Sequence, residues 1–313
     1  MRMNTALVVG AGFAGLSAAI ELARAGVAVT VLEADAVAGG RAQRFTTPDG
    51  FAFDAGPTLI VMTDVLRSVL GPERTDALGL RRLEPGYRVS WPDGTTFDVT
   101  SDLTALLANL ARFSPAPKPS RALRFLAEVH EHYREARANI LERDHSRLSF
   151  AAMAARPGRF RPWVFGSLER FVRATFAHPR LVEALTFQPL YLGTSPLRAP
   201  GLYAMLAVEE IVGGIWYAPG GTGAIVQALV DAARAQGVRF AFGERACEIV
   251  TERGRARAVR TPNGTHEADA VVVTADRESA VRTFAGGDGA RRQRYGHSAC
   301  VWYLGIDRPV DGP

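Results

Sequence analysis

An α/β fold built on a parallel sheet, interrupted by an interleaved α+β region, is what the sequence predicts, and three observations predict it. Residues 5 to 9 (TALVV) are a short apolar run rich in β-branched side chains, the composition of a strand buried on both faces. A helical stretch, LSAAIELARAG, follows and stops at Gly26, and VAVTVLE (27 to 33) is the next strand, so the first 33 residues form one βαβ unit. The same alternation returns late in the chain, with AIVQALVDAARAQG as helix, VRFAFG (238 to 243) as strand and an apolar strand at Ala270 to Val273.

Between these two blocks the pattern differs. YRVSWPDGTTFDV (87 to 99) carries two short strands around Pro92-Asp93-Gly94, a hairpin signal for a second, antiparallel sheet. From Ser101 to about Glu210 the period is helical, with Leu123, Leu126, Val129, Tyr133, Ala136 and Ile140 at steps of three and four. PAPKP (115 to 119) and RPGRFRP (156 to 162) break this helical insertion, Asn263-Gly264 supplies another turn, and SACVWYLGI (298 to 306) reads as a last strand. The expected division is 1–85 and 218–287 for the parallel-sheet domain, with 86–217 and the start of a sheet at 288–313 for the other.

Composition narrows the function classes. A chain of 313 residues with 47% hydrophobic content can bury one large or two smaller cores. Its net charge of +5 comes mostly from dispersed Arg, without a basic tail, which argues against nucleic-acid binding. The excess still favours an anionic membrane surface, where each nearby basic residue adds about 1 kcal/mol of attraction. Cys247 and Cys300 are the two cysteines, with no CxxC spacing and no His cluster, so neither a disulfide framework nor a metal site is expected, and a reducing cytoplasm fits. Met1-Arg2 before the apolar stretch Ala6 to Ile20 has a superficial likeness to a signal peptide, but the glycines inside it and the amphipathic helix that follows argue against one. No run reaches the roughly 20 apolar residues that cross a bilayer, so membrane contact is expected to be peripheral, on the inner face of the cell membrane.

Gly10-x-Gly12-x-x-Gly15 lies between the first strand and the first helix, the context that gives such a motif meaning. Gly10 permits the tight turn, Gly12 lets backbone approach a pyrophosphate, and Gly15 lets helix and strand pack closely. The helix N-terminus then meets phosphate charge with free N–H groups. Glu33 ends the second strand, where a carboxylate can accept hydrogen bonds from an adenosine ribose and repel a 2′-phosphate. A Rossmann-like nucleotide site follows from these features, which leave NAD and FAD both open.

Gly39-Gly40-Arg41 and FDAGPT (Phe53 to Thr58) follow Glu33, an arrangement that resembles the flavin-containing amine oxidase and phytoene desaturase superfamily. Arg41 offers a planar charged fork to phosphate or flavin oxygens. Residues 185 to 240, through YAPGGTGAIV, resemble the middle of bacterial carotenoid (phytoene) desaturases. The resemblance implies a Rossmann-like FAD-binding domain with a substrate domain, and FAD held by Gly10, Gly12, Gly15, Glu33, Gly40, Arg41, Gly56, Pro57, Thr58, Gly220, Gly221 and Ala246. VVVTAD (271 to 276) is similar to the family's following strand and turn, with Thr274 where Asn is usual. The family's C-terminal Gly-Asp motif has no counterpart here. Gly287-Asp288 in FAGGDGARR reads as loop, and the chain as a truncated product, fragment or half of a split protein.

The resemblance further implies desaturation of a long apolar polyisoprenoid by hydride transfer to FAD, with a quinone or oxygen as the acceptor that reoxidises it. Phe160, Trp163, Phe165, Phe171, Phe176, Phe187, Tyr191, Tyr203, Trp216 and Tyr217 line a hydrophobic tunnel or form plain core. Glu210, in VEEIVGG, is the candidate base, set against a structural ion pair. Arg156, Arg159, Arg161, Arg170 and Arg173, interleaved with aromatics, form a membrane-docking face or a solvated one. A related FAD-dependent isomerase or amine oxidase, and a noncatalytic flavoprotein fragment or partner subunit, are the alternatives.

Overall fold

The computed structural model describes residues 3–113, 119–138, 162–284 and 296–308. The chain divides into two compact units, one of Met1–Arg81, Tyr217–Arg294 and Val301–Pro313, the other of Arg82–Trp216 and Tyr295–Cys300.

The first unit is organised by a four-stranded parallel sheet in the order Ala270–Val273, Thr5–Val9, Ala28–Glu33, Arg239–Phe242. Side chains alternate across a strand, and Thr5–Val9 shows what that does for packing. Ala6 and Val8 face one apolar cluster, with Leu16, Ile20, Leu229 and Val230, while Leu7 and Val9 face another, with Leu32 and Val259. An unbroken apolar run is therefore the pattern this strand needs, since both faces are covered. The first cluster is closed by the helices Phe13–Arg24 and Thr222–Ala235. Leu16 and Ile20 are fully buried in it, each contributing about 1.5–3 kcal/mol. On the opposite face lies a three-stranded antiparallel sheet, Glu248–Glu252, Arg255–Thr261 and Gly264–Glu267, its last two strands joined at the Asn263-Gly264 turn.

The second unit pairs the hairpin Tyr87–Ser90 and Thr96–Val99, turned at Pro92-Asp93-Gly94 with Trp91 bonded to Thr95, with a set of helices. Phe97, Leu106, Leu168, Leu181 and Val208 form its core. Helix Pro119–Ala136 buries Ala122, Phe125, Val129, His132, Tyr133 and Ala136. Val129, Tyr133 and Ala136 of the expected stripe face inward and Leu126 packs against the core, but Leu123 is 40% exposed, Phe125 being the residue that stacks on Phe171, with centroids 5.3 Å apart.

Of the two readings of the aromatics, Trp163, Phe171, Phe176 and Tyr203 take that of plain core, packing in or against this cluster, with Trp163 stacked on Phe171 at 4.0 Å and 5°. One expectation is corrected. Residues 298–306 form no strand. Their composition suits one, but a strand also needs a neighbour's N–H and C=O groups, and no described strand pairs with them. Tyr303 instead rests on Phe45 and Phe53 and donates its hydroxyl to the Ala55 carbonyl. The Gly287-Asp288 loop, Phe160, Arg156, Arg159, Arg161 and Ile140 lie outside the described residues.

Candidate functional site

The C-terminal ends of the parallel strands gather the predicted nucleotide residues, the end at which open α/β sheets bind ligands. Gly10 turns the chain out of the first strand at φ +104°, with its N–H donated to the Leu32 carbonyl at 2.8 Å. A side chain has no room on Gly15, because a Cβ there would sit 1.9 Å from the Gly10 carbonyl oxygen. Helix Phe13–Arg24 starts at Gly12 with no side-chain cap and no acidic residue in its first turn. Its leading N–H groups and positive dipole end therefore remain available to an anion.

Glu33 ends the second strand and is buried, at 7% exposure. Its Oε2 accepts the Ala11 N–H at 2.6 Å and its Oε1 the Asp35 N–H at 2.9 Å, so the carboxylate braces the glycine turn from beneath. Gly39 donates to the Ala11 carbonyl at 2.9 Å, which lays Gly39–Gly40 along the same turn and places Arg41, exposed, just beyond. The segment Gly56-Pro57-Thr58 is exposed and passes close over Arg41: a Cβ on Gly56 would lie 2.1 Å from the Arg41 carbonyl oxygen. Across the turn, Asp276 is held below the ordinary aspartate range by the Ser279 amide, with the Arg41 charge adding to the effect. Ala246 is half-buried near Leu32, in a turn tied to the second strand by the Glu244 N–H on the Glu33 carbonyl at 2.8 Å.

Gly220 and Gly221 open the helix Thr222–Ala235, and two residues that sequence reasoning did not single out hold them there. Asp54 accepts the Thr222 N–H at 3.1 Å, and Arg44 donates to the Gly220 carbonyl at 2.9 Å. Gly221 sits at φ +74°, with space for a Cβ only 2.2 Å from Asp54 Oδ1. Asp54 lies inside FDAGPT, so its motif was visible while its partner was not.

An uncapped helix N-terminus, a turn that a Cβ would fill and a carboxylate at the second strand's tip fit the pyrophosphate and ribose of an adenine dinucleotide. Among the described residues no group of His, Cys, Asp and Glu is placed to hold a metal ion, and no helix is long and apolar enough to cross a membrane.

Glu210 belongs to the other unit. It lies on helix Ala204–Val212 and its partners are neutral: the Tyr87 hydroxyl donates to Oε2 at 2.8 Å and the Gln188 amide to the same oxygen at 3.3 Å. Burial pushes its carboxyl above the ordinary range, against those two hydrogen bonds. Phe187 meets the edges of Tyr87 and Tyr191, so the carboxyl has aromatic surroundings.

Comparison with known proteins places the chain. The model of the flavin containing amine oxidoreductases matches residues 13–285. The chain belongs to that family. The family's nucleotide is FAD, and FAD is the cofactor of this chain. It is 36% identical over 96% of its length to a zeta-carotene-forming phytoene desaturase of Myxococcus xanthus, covering 60% of that protein. It is 32% identical over 97% of its length to a carotenoid 3,4-desaturase of Haloarcula japonica, covering 63% of it. The chain thus spans about 60% of the length of these relatives. Its fold is similar to an oxidoreductase from Methanosarcina mazei (TM-score 0.61, 16% identity, 90% of this chain and 61% of that one). It is also similar to a fatty acid isomerase from P. acnes (TM-score 0.57, 17% identity, 91% and 62%).

Proposed function

We propose that this member of the flavin-containing amine oxidoreductases desaturates a long apolar polyisoprenoid of the carotenoid class. The observation that carries the reading is the 36% identity, over 96% of the chain, to a protein named as a phytoene desaturase. When bound, FAD supplies the hydride acceptor, and the hard chemistry is the cofactor's.

The chain's own residues do the rest. The N–H groups at the start of helix Phe13–Arg24 take the pyrophosphate, Glu33 the ribose, and Arg41 a phosphate or flavin oxygen; Gly40 and Gly56 keep that surface free of bulk, and the exposed Pro57 and Thr58 border it. Gly220, Gly221 and Ala246 frame the nucleotide from the second half of the unit. Glu210 is the base that removes the proton from the carbon next to the one losing hydride, in aromatic surroundings suited to a hydrocarbon. Its neutral partners do not fit the ion pair weighed against that role.

The protein works at the inner face of the cell membrane, where its substrate dissolves, and passes electrons to a quinone or to oxygen. Phe165, 77% exposed, and the exposed Arg170 and Arg173 supply an apolar and basic edge for that contact. The test is to purify the chain alone and with any adjoining coding sequence, read its flavin absorption, and incubate it with carotenoid-precursor lipid extract and a quinone. Bound flavin and newly conjugated polyenes support the reading. Turnover of polyamines in place of lipids, or flavin without either activity, overturns it.

A further inference from the structure

The hydrogen bonds around Glu210 have a direction that the base role does not by itself require. Both fall on Oε2, from Tyr87 at 2.8 Å and from Gln188 at 3.3 Å, which leaves Oε1 with no partner among the described residues. Gln188 is 1% exposed, and its Nε2 is committed three ways: to the Tyr87 oxygen at 3.0 Å, the Ala184 carbonyl at 3.3 Å and Glu210. Its own Oε1 is buried without a donor. An unpaired buried acceptor is unfavourable, so the amide's orientation is set by what Nε2 holds. Tyr87 is fixed in turn by the hairpin pairing Tyr87 to Val99 and by the edge of Phe187. Three elements far apart in sequence, a hairpin strand, a tight helical turn and a helix, thus converge on one carboxylate oxygen.

We infer that Tyr87 and Gln188 are positioning residues which grip Glu210 by Oε2 and present Oε1 as the proton acceptor. This rests on the desaturase reading above. On that reading, a substrate C–H bond would break with its proton forming an O–H bond at Oε1 and its electron pair becoming the new C=C bond, while FAD, when bound, would supply the acceptor for the hydride lost from the neighbouring carbon. Hydrogen bonds from neutral donors favour the charged carboxylate, while burial disfavours it. The grip therefore opposes the rise that burial imposes on the Glu210 carboxyl.

The groups facing Glu210 are Tyr87 from the hairpin and Gln188 and Tyr191 from the turn Gln188–Leu192. Tyr191 is pushed up to about 12 by burial and by the Glu210 charge, and Tyr87 is raised by burial and the same carboxylate, so both stay neutral through the working range and Tyr87 remains a donor.

The test is an infrared pH titration of the protonated carboxyl band, assigned by its loss in Glu210→Gln, paired with desaturation kinetics. Tyr87→Phe removes the stronger donor and should raise the titration midpoint by about one to two pH units. The acid limb of kcat should shift equally while KM and flavin content hold. Gln188→Met, similar in length, should shift both in the same direction by less, and it serves alone if Tyr87→Phe does not fold. An unchanged midpoint in both variants overturns the inference, as does full turnover by Glu210→Gln. A flavin-loaded protein that leaves polyisoprenoids unaltered overturns the desaturase reading instead, and the infrared shift is measured independently of that result.

Discussion

The Glu33 carboxylate accepts the Ala11 N–H at 2.6 Å, so the acid expected to meet ribose also supports the glycine turn expected to meet phosphate. One residue links both halves of the nucleotide site. Glu33→Ala leaves the Ala11 and Asp35 amides without their acceptor in a nearly closed space, at about 1–3 kcal/mol. The expected outcome is a lower urea midpoint together with loss of FAD affinity. Glu33→Gln retains an acceptor oxygen and should recover much of the stability while still weakening FAD, which isothermal titration with FAD would separate.

Gly15→Ala should be far more damaging than its single methyl suggests. The added carbon would meet the Gly10 carbonyl oxygen at 1.9 Å and Thr274 Oγ1 at 3.0 Å, while Thr274 itself is anchored by donation to the Val9 carbonyl at 2.9 Å. Backbone must move, and overpacking of this kind costs about 1–3 kcal/mol. The purified variant should be colourless and melt lower, whereas Gly26→Ala, with no atom near its Cβ though strained at φ +81°, should keep its flavin.

What the sequence disclosed, and what it hid, follows from the range of the forces involved. The strands at 5–9 and 270–273 stand where their apolar runs lie, and the strand expected at 27–33 begins one residue later, at Ala28, because packing on both sheet faces favours such runs. The Gly10–Glu33 unit was legible because its contacts lie within 33 residues. Asp54 on Thr222 and Tyr87 on Glu210 join residues 168 and 123 apart, and no local pattern marks either pair. The aromatics between 163 and 203 carry no signal that separates a lining from a core, since only packing decides it. SACVWYLGI has strand composition, yet pairing requires a neighbour, which composition cannot supply.

Asp54→Ala tests the long-range link directly. Asp54 Oδ1 serves the Thr222 N–H as a cap from another part of the chain, and losing such a cap costs about 0.5–2 kcal/mol. Helix Thr222–Ala235 should fray at its first turn, seen as faster amide exchange there, with a modest fall in melting temperature. Asp54→Asn keeps an acceptor and should lose less.

Acid should loosen the sheet at the opposite end of the first strand. Asp269 Oδ2 accepts the Asn4 N–H at 2.9 Å and the Thr5 N–H at 3.0 Å, and these bonds, with the Thr5 hydroxyl and the Arg257 charge, hold its carboxyl below the ordinary aspartate range. A depressed folded value means that the unfolded chain takes up the proton first as pH falls. The contribution is therefore complete above about pH 5, declines through the ordinary aspartate value, and is gone once pH passes the folded value. Asp269→Asn lacks that charge at every pH. Urea midpoints of the two proteins should differ most at neutral pH and converge as pH falls through the depressed folded value; a gap that stays constant as the solution is acidified would show that the carboxylate charge contributes nothing to tying Asn4 and Thr5 to the edge strand.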